Sequence, residues 1–330
     1  MNQAPRAVNT VLLVAAALLV LFPLSGSIFY IQLLTKIMVM AIFAMSLDLL
    51  VGYTGLVSLG HAAFFGIAGY AVALMSPKYE AASLWLTLPA AMGVCAAFAL
   101  LTGALVLRTS GIYFIMVTLA FAQMAYFLFH DTGLGGGSDG VYIYNKPEMK
   151  LGDWQVLNLE NLNHFYFLVL ILMVVVYLLL RRMLDSPFGH ALVGIKINEH
   201  RMRSLGFPTF RYKLAAYVIA GAIGGMSGYL AALQFGFVNP EILSWHQSGS
   251  VLMMVILGGM GSLHGPIIGA FAFVLLQEIF SNQAWFGAAA KHWQLAMGIF
   301  IILVALRLPE GLAGLLTKFR LRKTLAYRDR

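Results

Sequence analysis

The sequence predicts an all-α integral membrane protein with about ten transmembrane helices, because its composition is unlike that of a soluble domain. Of its 330 residues, 61% are hydrophobic and only 10% are charged, and the mean hydropathy is +0.85. Soluble domains are about 45–50% apolar and about 25% charged. A soluble sphere of this size could not cover so many apolar side chains. The composition excludes an ordinary cytosolic enzyme, a disordered protein and a collagen-like fibre.

Ten windows are apolar enough to be transmembrane candidates, since a helix needs about 20 mostly apolar residues to cross a bilayer. Segment 58–75 is unusual because it contains three glycines and a histidine, and segment 249–260 is too short to cross at full thickness. Either of these two segments could be a discontinuous or re-entrant helix. A membrane tolerates such a helix only where protein or a water-filled cavity covers the free backbone groups. The predicted spans are 8–24, 28–51, 58–75, 83–107, 111–130, 164–182, 213–235, 249–260, 265–282 and 292–308.

The basic residues are concentrated in two segments next to apolar spans. Residues 181–213 contain seven Lys or Arg, and residues 307–330 contain another seven, so these segments hold 14 of the 21 basic residues. Residues 131–163 instead hold five acids against Lys146 and Lys150. The positive-inside rule therefore predicts that 183–212 (the basic loop) and both termini are cytoplasmic and that 131–163 (the acidic loop) is external. A nucleic-acid partner explains this pattern poorly.

The chain shows no sign of a separate soluble domain, so we expect one transmembrane domain over 1–330, with a basic cytoplasmic tail at 309–330. Its start resembles a signal peptide, with Arg6, an apolar stretch and then small residues. A retained first helix fits the many following spans better. The single cysteine, Cys95, lies in an apolar run and can form neither a disulfide framework nor a zinc site within the chain.

The stretch Leu50 to Tyr70 reads LVGYTGLVSLGHAAFFGIAGY and combines glycines with hydroxyl groups and a histidine. Glycines let a helix unwind, and Ser, Thr and His side chains can hydrogen-bond at the opening, as in the discontinuous helices of transporters. Small residues at a helix–helix interface give the same pattern, and packing is the stronger explanation for any single position. If the stretch shapes a transport path, Gly60→Leu should block transport while the protein still assembles.

A second glycine-rich stretch, Ile256 to Gly269, reads ILGGMGSLHGPIIG and aligns with the first. Residues 50–55 and 256–261 share both glycines, and a Ser-Leu step follows each. Paired, glycine-interrupted segments in two halves of a chain point to a transport path, although chance similarity also explains so short a match. The predicted topology makes the pair parallel. Our candidates for the path are Tyr53, Thr54, Ser58, Gly60, His61, Phe65, Thr118, Gln123, Ser262 and His264.

Few ionisable groups lie inside the predicted spans: Lys36, Asp48, His61 and Glu278. Such groups are costly in lipid and should face protein or water. Asp48 could cap or pair locally. An ion-coupled transporter of a small organic solute, which is the alternative function, would need a richer chain of carboxylates and would depend on Asp48 or Glu278. A non-transporting scaffold is a third alternative.

The basic loop reads MLDSPFGHALVGIKINEHRMRSLGFPTFRYK from Met183 to Lys213, with Gly and Pro residues on either side of a predicted helical stretch. One interpretation is an amphipathic helix on the anionic inner leaflet, with membrane lipid as its partner. The other is a docking helix for a cytoplasmic protein, which also explains the defined ends.

Three segments together resemble the permease subunits of branched-chain amino-acid-type ABC importers. They are GYTGLVSLGHAAFFGIAGY at 52–70, GIYFIMVTLAFAQM at 111–124 followed by GGSDG at 136–140, and SPFGHALVGIKINE through SLGFPTFRYKLAAYVIAGAIGG at 186–225. Their order and spacing are similar to the family's over nearly the whole chain. The resemblance implies a bacterial inner-membrane, multi-pass, non-catalytic subunit. It implies a small polar solute, most simply a branched-chain or other amino acid; urea, aromatic carboxylates and short amides stay open.

The resemblance also implies partners and a coupling element. They would be a second homologous permease, two cytoplasmic ATP-binding subunits and a periplasmic solute-binding protein. The chain has no GxxxxGK[ST] phosphate loop, so it would bind no cofactor and its partners would use the ATP. A coupling helix would lie at 198–207, where Leu205 fills a groove on the ATPase and Glu199 and Arg201 pair with charges at the rim. This chain has His200 to Arg203 where the family's pattern has small alanines. The implied coupling residues are Asn198, Glu199, Arg201, Leu205, Gly206 and Phe207.

Overall fold

The computed structural model describes residues 18–77, 79–151 and 154–314, and these residues are overwhelmingly helical. The all-α membrane class predicted from composition is confirmed. The helices are α1 Ile28–Val51, α2 His61–Met75, α3 Leu84–Val106, α4 Ile112–Asp131, α5 Leu162–Leu184, α6 Pro187–Ile197, α7 Glu199–Ser204, α8 Thr209–Phe235, α9 Trp245–Gly258, α10 Gly265–Ser281, α11 Gln283–Phe286 and α12 Trp293–Arg307.

Nine of the ten predicted spans coincide with helices in the described part of the chain. Within residues 18–314, as far as the structure describes them, six helical stretches are long and apolar enough to cross a membrane: α1, α3, α4, α5, α8 and Ala290–Arg307, which includes α12. Helices α2 and α10 are apolar but shorter. Most of the predicted span 8–24 lies outside the described residues, as do the start that resembles a signal peptide and most of the tail 309–330.

Helix α8 lies at the centre of the bundle and packs against α1, α2 and α3. Glycines on α8 allow its backbone to approach these helices closely, because a larger side chain at the glycine positions would collide with a neighbouring helix. A Cβ at Gly221 would lie 2.7 Å from the Cβ of Ala99, one at Gly225 would lie 2.6 Å from Sγ of Cys95, and one at Gly228 would meet the backbone of Phe65. Cys95 is fully buried in this contact. Small residues are typical of helix interfaces within membranes.

Two glycine-rich breaks separate neighbouring helices and reverse the direction of the chain. The first break is residues 52–60, between α1 and α2, and the second break is residues 259–264, between α9 and α10. Across the second of them, for example, α9 and α10 pack antiparallel, because a Cβ at Gly258 would meet the Gly265 carbonyl and one at Gly269 would meet the Met254 carbonyl.

Helices α2 and α9, which correspond to the predicted segments 58–75 and 249–260, are each continuous, so no discontinuity lies within either of them, and a re-entrant course for these segments stays a prediction. Helix α9 begins four residues before the predicted bound. Both α2 (15 residues) and α9 (14 residues) are too short for a full crossing.

The acidic loop is built on short strands, which are β1 Val141–Tyr142, β2 Met149–Leu151, β3 Trp154–Leu157 and, from the end of α8, β4 Phe237–Val238. Strand β1 pairs antiparallel with β4, and β2 pairs antiparallel with β3. The glycine-rich stretch forms two 3-10 turns, Gly133–Gly135 and Gly137–Asp139. Strand β1 of the acidic loop pairs with β4, which directly follows the C-terminal end of α8, whereas the basic loop leads into the N-terminal end of α8. The two loops therefore lie at opposite ends of that helix.

The basic loop contains two helices where the sequence predicts one helical stretch. Helix α6 begins at Pro187 and ends at Ile197, and α7 begins after Asn198, whose backbone is extended (φ −157°). The Asn198 side chain accepts a hydrogen bond from the Arg201 N–H at 2.9 Å. Asn is a favoured N-cap because its side chain satisfies an amide that would otherwise lack a partner, so the chain starts a new helix here.

Candidate functional site

The first break ends where α2 begins, and side chains satisfy the amides of that helix start. Ser58 Oγ accepts a hydrogen bond from the Gly60 N–H at 3.2 Å. Ser248 Oγ, from α9, accepts one from the Ala62 N–H at 2.9 Å. Ser58 and Ser248 are both fully buried. A helix start inside a membrane needs such partners because water is not available to its free amides.

His61 is the first residue of α2 and is completely buried. Its Nε2 lies 2.8 Å from Ser46 Oγ on α1. Because the Ser46 hydroxyl donates its proton to the Phe43 carbonyl at 2.7 Å, Nε2 must be the donor to Ser46. The imidazole also stacks on the Phe43 ring, with centroids 5.3 Å apart. Nδ1 has no hydrogen-bond partner among the described residues, so His61 is a neutral, packed side chain in this conformation.

Gly60 is the closest contact between the first break and α4. A Cβ at Gly60 would meet the Thr118 carbonyl group, and it would lie 3.1 Å from the Thr118 Cβ. Thr118 is buried and donates its hydroxyl proton to the Ile115 carbonyl at 2.8 Å. The structure therefore brings four predicted path residues close together: Ser58, Gly60, His61 and Thr118.

The other predicted path residues lie around this group or at the second break. Tyr53 and Thr54 are buried just after α1, Phe65 is buried one turn into α2, and Gln123 is partly buried on α4. Ser262 and His264 are partly buried in the second break. The buried members face protein in this conformation, so a role in contacting solute stays a prediction for all ten residues.

The two glycine-rich segments that align in the sequence are in contact in the structure. A Cβ at Gly52 would lie 2.5 Å from the backbone nitrogen of Gly261, so Gly52 leaves no space for a side chain, and Gly261 has a positive φ of 76° that favours glycine. Gln247 Nε2 lies 3.8 Å from the Met40 sulfur, and both residues precede this contact in the chain, Met40 before Gly52 and Gln247 before Gly261. Helices α1 and α9 therefore run in the same direction, as the predicted parallel relation requires.

Two charged residues outside our candidate list contact this junction. Asp48 Oδ1 accepts a hydrogen bond from the Gly261 N–H at 2.9 Å, and Lys196 Nζ donates to the Gly52 carbonyl at 2.6 Å. The sequence offered a signal for Asp48, since it is a carboxylate inside an apolar span. Lys196 is one of seven basic residues in its segment, and the sequence does not distinguish it from the others.

Helix α7 is tied to the spanning helix α8 through Glu199. The Glu199 carboxylate accepts hydrogen bonds from Arg203 (2.6 Å), from the Thr209 hydroxyl (3.0 Å) and from Lys213 (3.0 Å). Lys213 is buried, with 7% of its surface exposed. These bonds within the chain give the Glu199 carboxylate internal partners, and its pairing with a charge on the ATPase stays a prediction.

Burial of Glu199 acts to raise its pKa, but the bonds from Lys213, Arg203 and Thr209 outweigh it and hold the pKa below the ordinary value. The carboxylate is therefore ionised at neutral pH. Because the pKa is lowered, this contribution to stability is complete above the ordinary glutamate pKa and is lost as the pH falls through the lowered value.

Apolar side chains of the basic loop remain exposed on either side of α7. Ile197 is 80% exposed, Leu205 is 64% exposed and Phe207 is 38% exposed. Gly206 has a positive φ of 87° and donates its N–H to the Arg203 carbonyl at 2.9 Å, which ends the helix. The structure thus presents a short, anchored helix with apolar residues free for contact at its margins.

Comparison with known proteins gives consistent matches over most of the chain. The profile of a family described as "Branched-chain amino acid transport system / permease component" matches residues 29–306. The chain is 32% identical over 301 residues to the high-affinity branched-chain amino acid transport system permease protein LivM of Escherichia coli, covering 86% of this chain and 69% of that protein.

Two further relatives are also permease proteins of branched-chain amino acid transport systems. LivM of Salmonella typhimurium is 31% identical over 301 residues, which covers 86% of this chain and 69% of that protein. The permease protein LivH of the Escherichia coli high-affinity branched-chain amino acid transport system is 24% identical over 199 residues, covering 58% of this chain and 61% of that protein. No solved structure matches the chain.

Proposed function

The chain belongs to the family of branched-chain amino acid transport permeases, and from this premise we propose that it carries branched-chain amino acids across the bacterial inner membrane. It is a permease subunit of an ABC importer. The matches with LivM and LivH support an amino acid as the solute. They do not favour the alternative of ion-coupled transport, and the bond between Asp48 and Gly261 gives that carboxylate a structural role.

The observation that carries this proposal is the geometry of the basic loop. A transporter driven by ATP needs a cytoplasmic contact that moves the membrane helices, and α7 supplies an exposed surface joined to α8 by the bonds of Glu199. Movement of α7 would therefore displace the end of the helix at the centre of the bundle. Coupled movement of packed helices is a common route between conformations.

The proposed partners follow from the chemistry and the relatives. ATP would be hydrolysed by two cytoplasmic subunits, because this sequence has no phosphate loop of the GxxxxGK[ST] type. Two permease proteins, LivM and LivH, are named for one Escherichia coli transport system, which supports a second homologous permease beside this chain. A periplasmic binding protein would deliver the solute to the acidic loop.

The proposed orientation places the basic loop and both termini in the cytoplasm. Gly311 lies against Gly259 in the second break, and that break reaches the basic loop through Gly52 and Lys196. The described end of the chain therefore lies at the same end of the bundle as the basic loop. The acidic loop lies at the opposite end and would face the periplasm.

Labelling of Ser138 tests this orientation. Ser138 is exposed in the acidic loop, so Ser138→Cys in a Cys95→Ser background should react with a membrane-impermeant maleimide in intact cells whose outer membrane has been permeabilised. The Cys95→Ser chain alone is the blank. Labelling confined to inside-out vesicles would reverse the assigned orientation.

Reconstitution tests the function itself. The chain, co-expressed with the genes beside its own, should purify with two ATP-binding subunits and a second permease. In proteoliposomes, leucine with its binding protein should stimulate hydrolysis and drive ATP-dependent leucine uptake that an ionophore does not abolish. Uptake that follows an ion gradient without ATP would refute the proposal. ATP-dependent uptake of another solute would refute only the substrate class.

A further inference from the structure

We propose that Lys196 and Asp48 are positioning residues for transport: they join the basic loop to both helix breaks, so that movement of the loop reaches the helices that begin and end at those breaks. This inference rests on the proposed function. It goes beyond α7 and α8, because it assigns a second mechanical connection that passes through α6 and the backbone of the two breaks.

The first part of the connection is Lys196, the last basic residue of α6. Its ammonium group donates a hydrogen bond to the Gly52 carbonyl at 2.6 Å. Its aliphatic stem lies against Gly55, where a Cβ would be 3.2 Å from the Lys196 Cγ. Lys196 therefore contacts the first break through both its charge and its stem. Gly52 follows α1 directly, and a positive charge is favourable at a helix C-terminus.

The second part is Asp48, which is 1% exposed and lies on the last turn of α1. Its Oδ1 accepts the Gly261 N–H at 2.9 Å, and its backbone carbonyl accepts the Gly52 N–H at 2.7 Å. Oδ2 has no hydrogen-bond partner within the described residues. A buried carboxylate is costly in a membrane, so its position at this junction needs a reason, and the bond to the second break supplies one.

Together these bonds form a continuous path from the basic loop to both breaks. It runs from the Lys196 ammonium group to the Gly52 carbonyl and along the backbone from Gly52 back to Asp48. From there the Asp48 carboxylate continues it to the Gly261 N–H of the second break. A Cβ at Gly52 would lie 2.5 Å from the Gly261 nitrogen, so the two breaks are in close backbone contact, and the Asp48–Gly261 bond holds them together. If α6 moves, Lys196 transmits the movement to α1 and α9 at once.

A simpler role for Lys196 is to keep its charge at the membrane surface while its stem packs below, as lysines near helix ends commonly do. The two roles predict different results for transport. A surface lysine would contribute to folding or membrane placement alone, so its loss would lower uptake and ATP hydrolysis together. A positioning lysine would lower the uptake obtained per ATP hydrolysed.

The test is to measure leucine uptake and stimulated ATP hydrolysis for Lys196→Met in the reconstituted complex. Methionine keeps an unbranched stem of similar length without the ammonium group. We expect stimulated hydrolysis close to that of the unchanged chain and uptake per ATP lower by about tenfold or more, because a hydrogen bond to a charged group is worth at least that factor. Lys196→Arg should restore much of the ratio, since it keeps a donor.

The control variants separate this connection from general damage. Lys291→Met removes an exposed charge from the segment between α10 and α12, and it should leave the ratio unchanged. Asp48→Asn keeps an oxygen for the Gly261 N–H and should transport better than Asp48→Ala.

An unchanged ratio of uptake to hydrolysis in Lys196→Met would overturn the inference, whether or not both activities fall in parallel. Absence of ATP-dependent uptake by the unchanged complex would instead contradict the proposed function.

Discussion

Gly60→Ala is expected to prevent assembly of a stable, active complex, because the position has no room for even one methyl group. A Cβ there would meet the Thr118 carbonyl group, which is backbone and cannot rotate away. Overpacking typically costs about 1–3 kcal/mol, and here α2 or α4 must move. We expect a lower thermal unfolding temperature in detergent, a low yield of complex and loss of uptake.

Gly93→Ala is the matched control, since it makes the same change within another spanning helix. Gly93 lies in α3, and an added Cβ would have no described atom within 4 Å. This variant should assemble and transport normally. A Gly60→Ala complex with unchanged unfolding temperature and uptake would contradict the tight contact with Thr118.

The contact also changes what the sequence alone led us to expect for Gly60→Leu. The glycine-rich pattern favours a blocked path in an assembled protein, whereas the backbone contact favours failure of assembly. Size-exclusion chromatography of the Gly60→Leu complex distinguishes the two. An assembled but inactive complex would support a path at this depth, and loss of the complex would support packing.

Leu205→Ala is expected to release the ATP-binding subunits or to abolish solute-stimulated hydrolysis. Leu205 is 64% exposed at the end of α7, and the anchored helix presents it to a partner. Truncating an apolar anchor in an interface commonly costs at least about 2 kcal/mol. Retention of the ATP-binding subunits during purification and stimulated hydrolysis in proteoliposomes measure this effect.

Arg203→Ala, on the same helix, should be much milder. Arg203 is exposed and shares Glu199 with Lys213, so its loss leaves the connection to α8 in place. Exposed ion pairs contribute about 0–1 kcal/mol. If Leu205→Ala matches the unchanged chain in both assays, α7 is not the coupling element, and the basic loop is better explained as a helix on the membrane surface.

Much of the candidate site could be located from the sequence, because helix breaks depend on local residue types. The glycines of the first and second breaks marked both interruptions, and Asn198 and Gly206 lie at the two ends of α7. The partners of these segments could not be located. Ser248 caps α2 from 186 residues away, and Gly261 meets Asp48 across 213 residues.

Glu199 shows why the sequence of a segment does not reveal all of its contacts. Its position on α7 beside exposed residues is a local feature, whereas its bonds to α8 are not. Its carboxylate is directed to Thr209 and Lys213 only because α8 turns back against α7 after Gly206 and Pro208. The choice between an internal and an external partner depends on that chain reversal.

The sequence by itself determined the membrane class and nine of the helices, because the burial of apolar side chains acts on each segment separately. Only the tertiary structure decided that the two breaks meet, that His61 is packed against Ser46 and Phe43, and that Lys196 reaches Gly52. Those contacts join residues far apart in the chain. They arise from the close packing of α1, α2, α8 and α9, which the periodicity of any one segment does not encode.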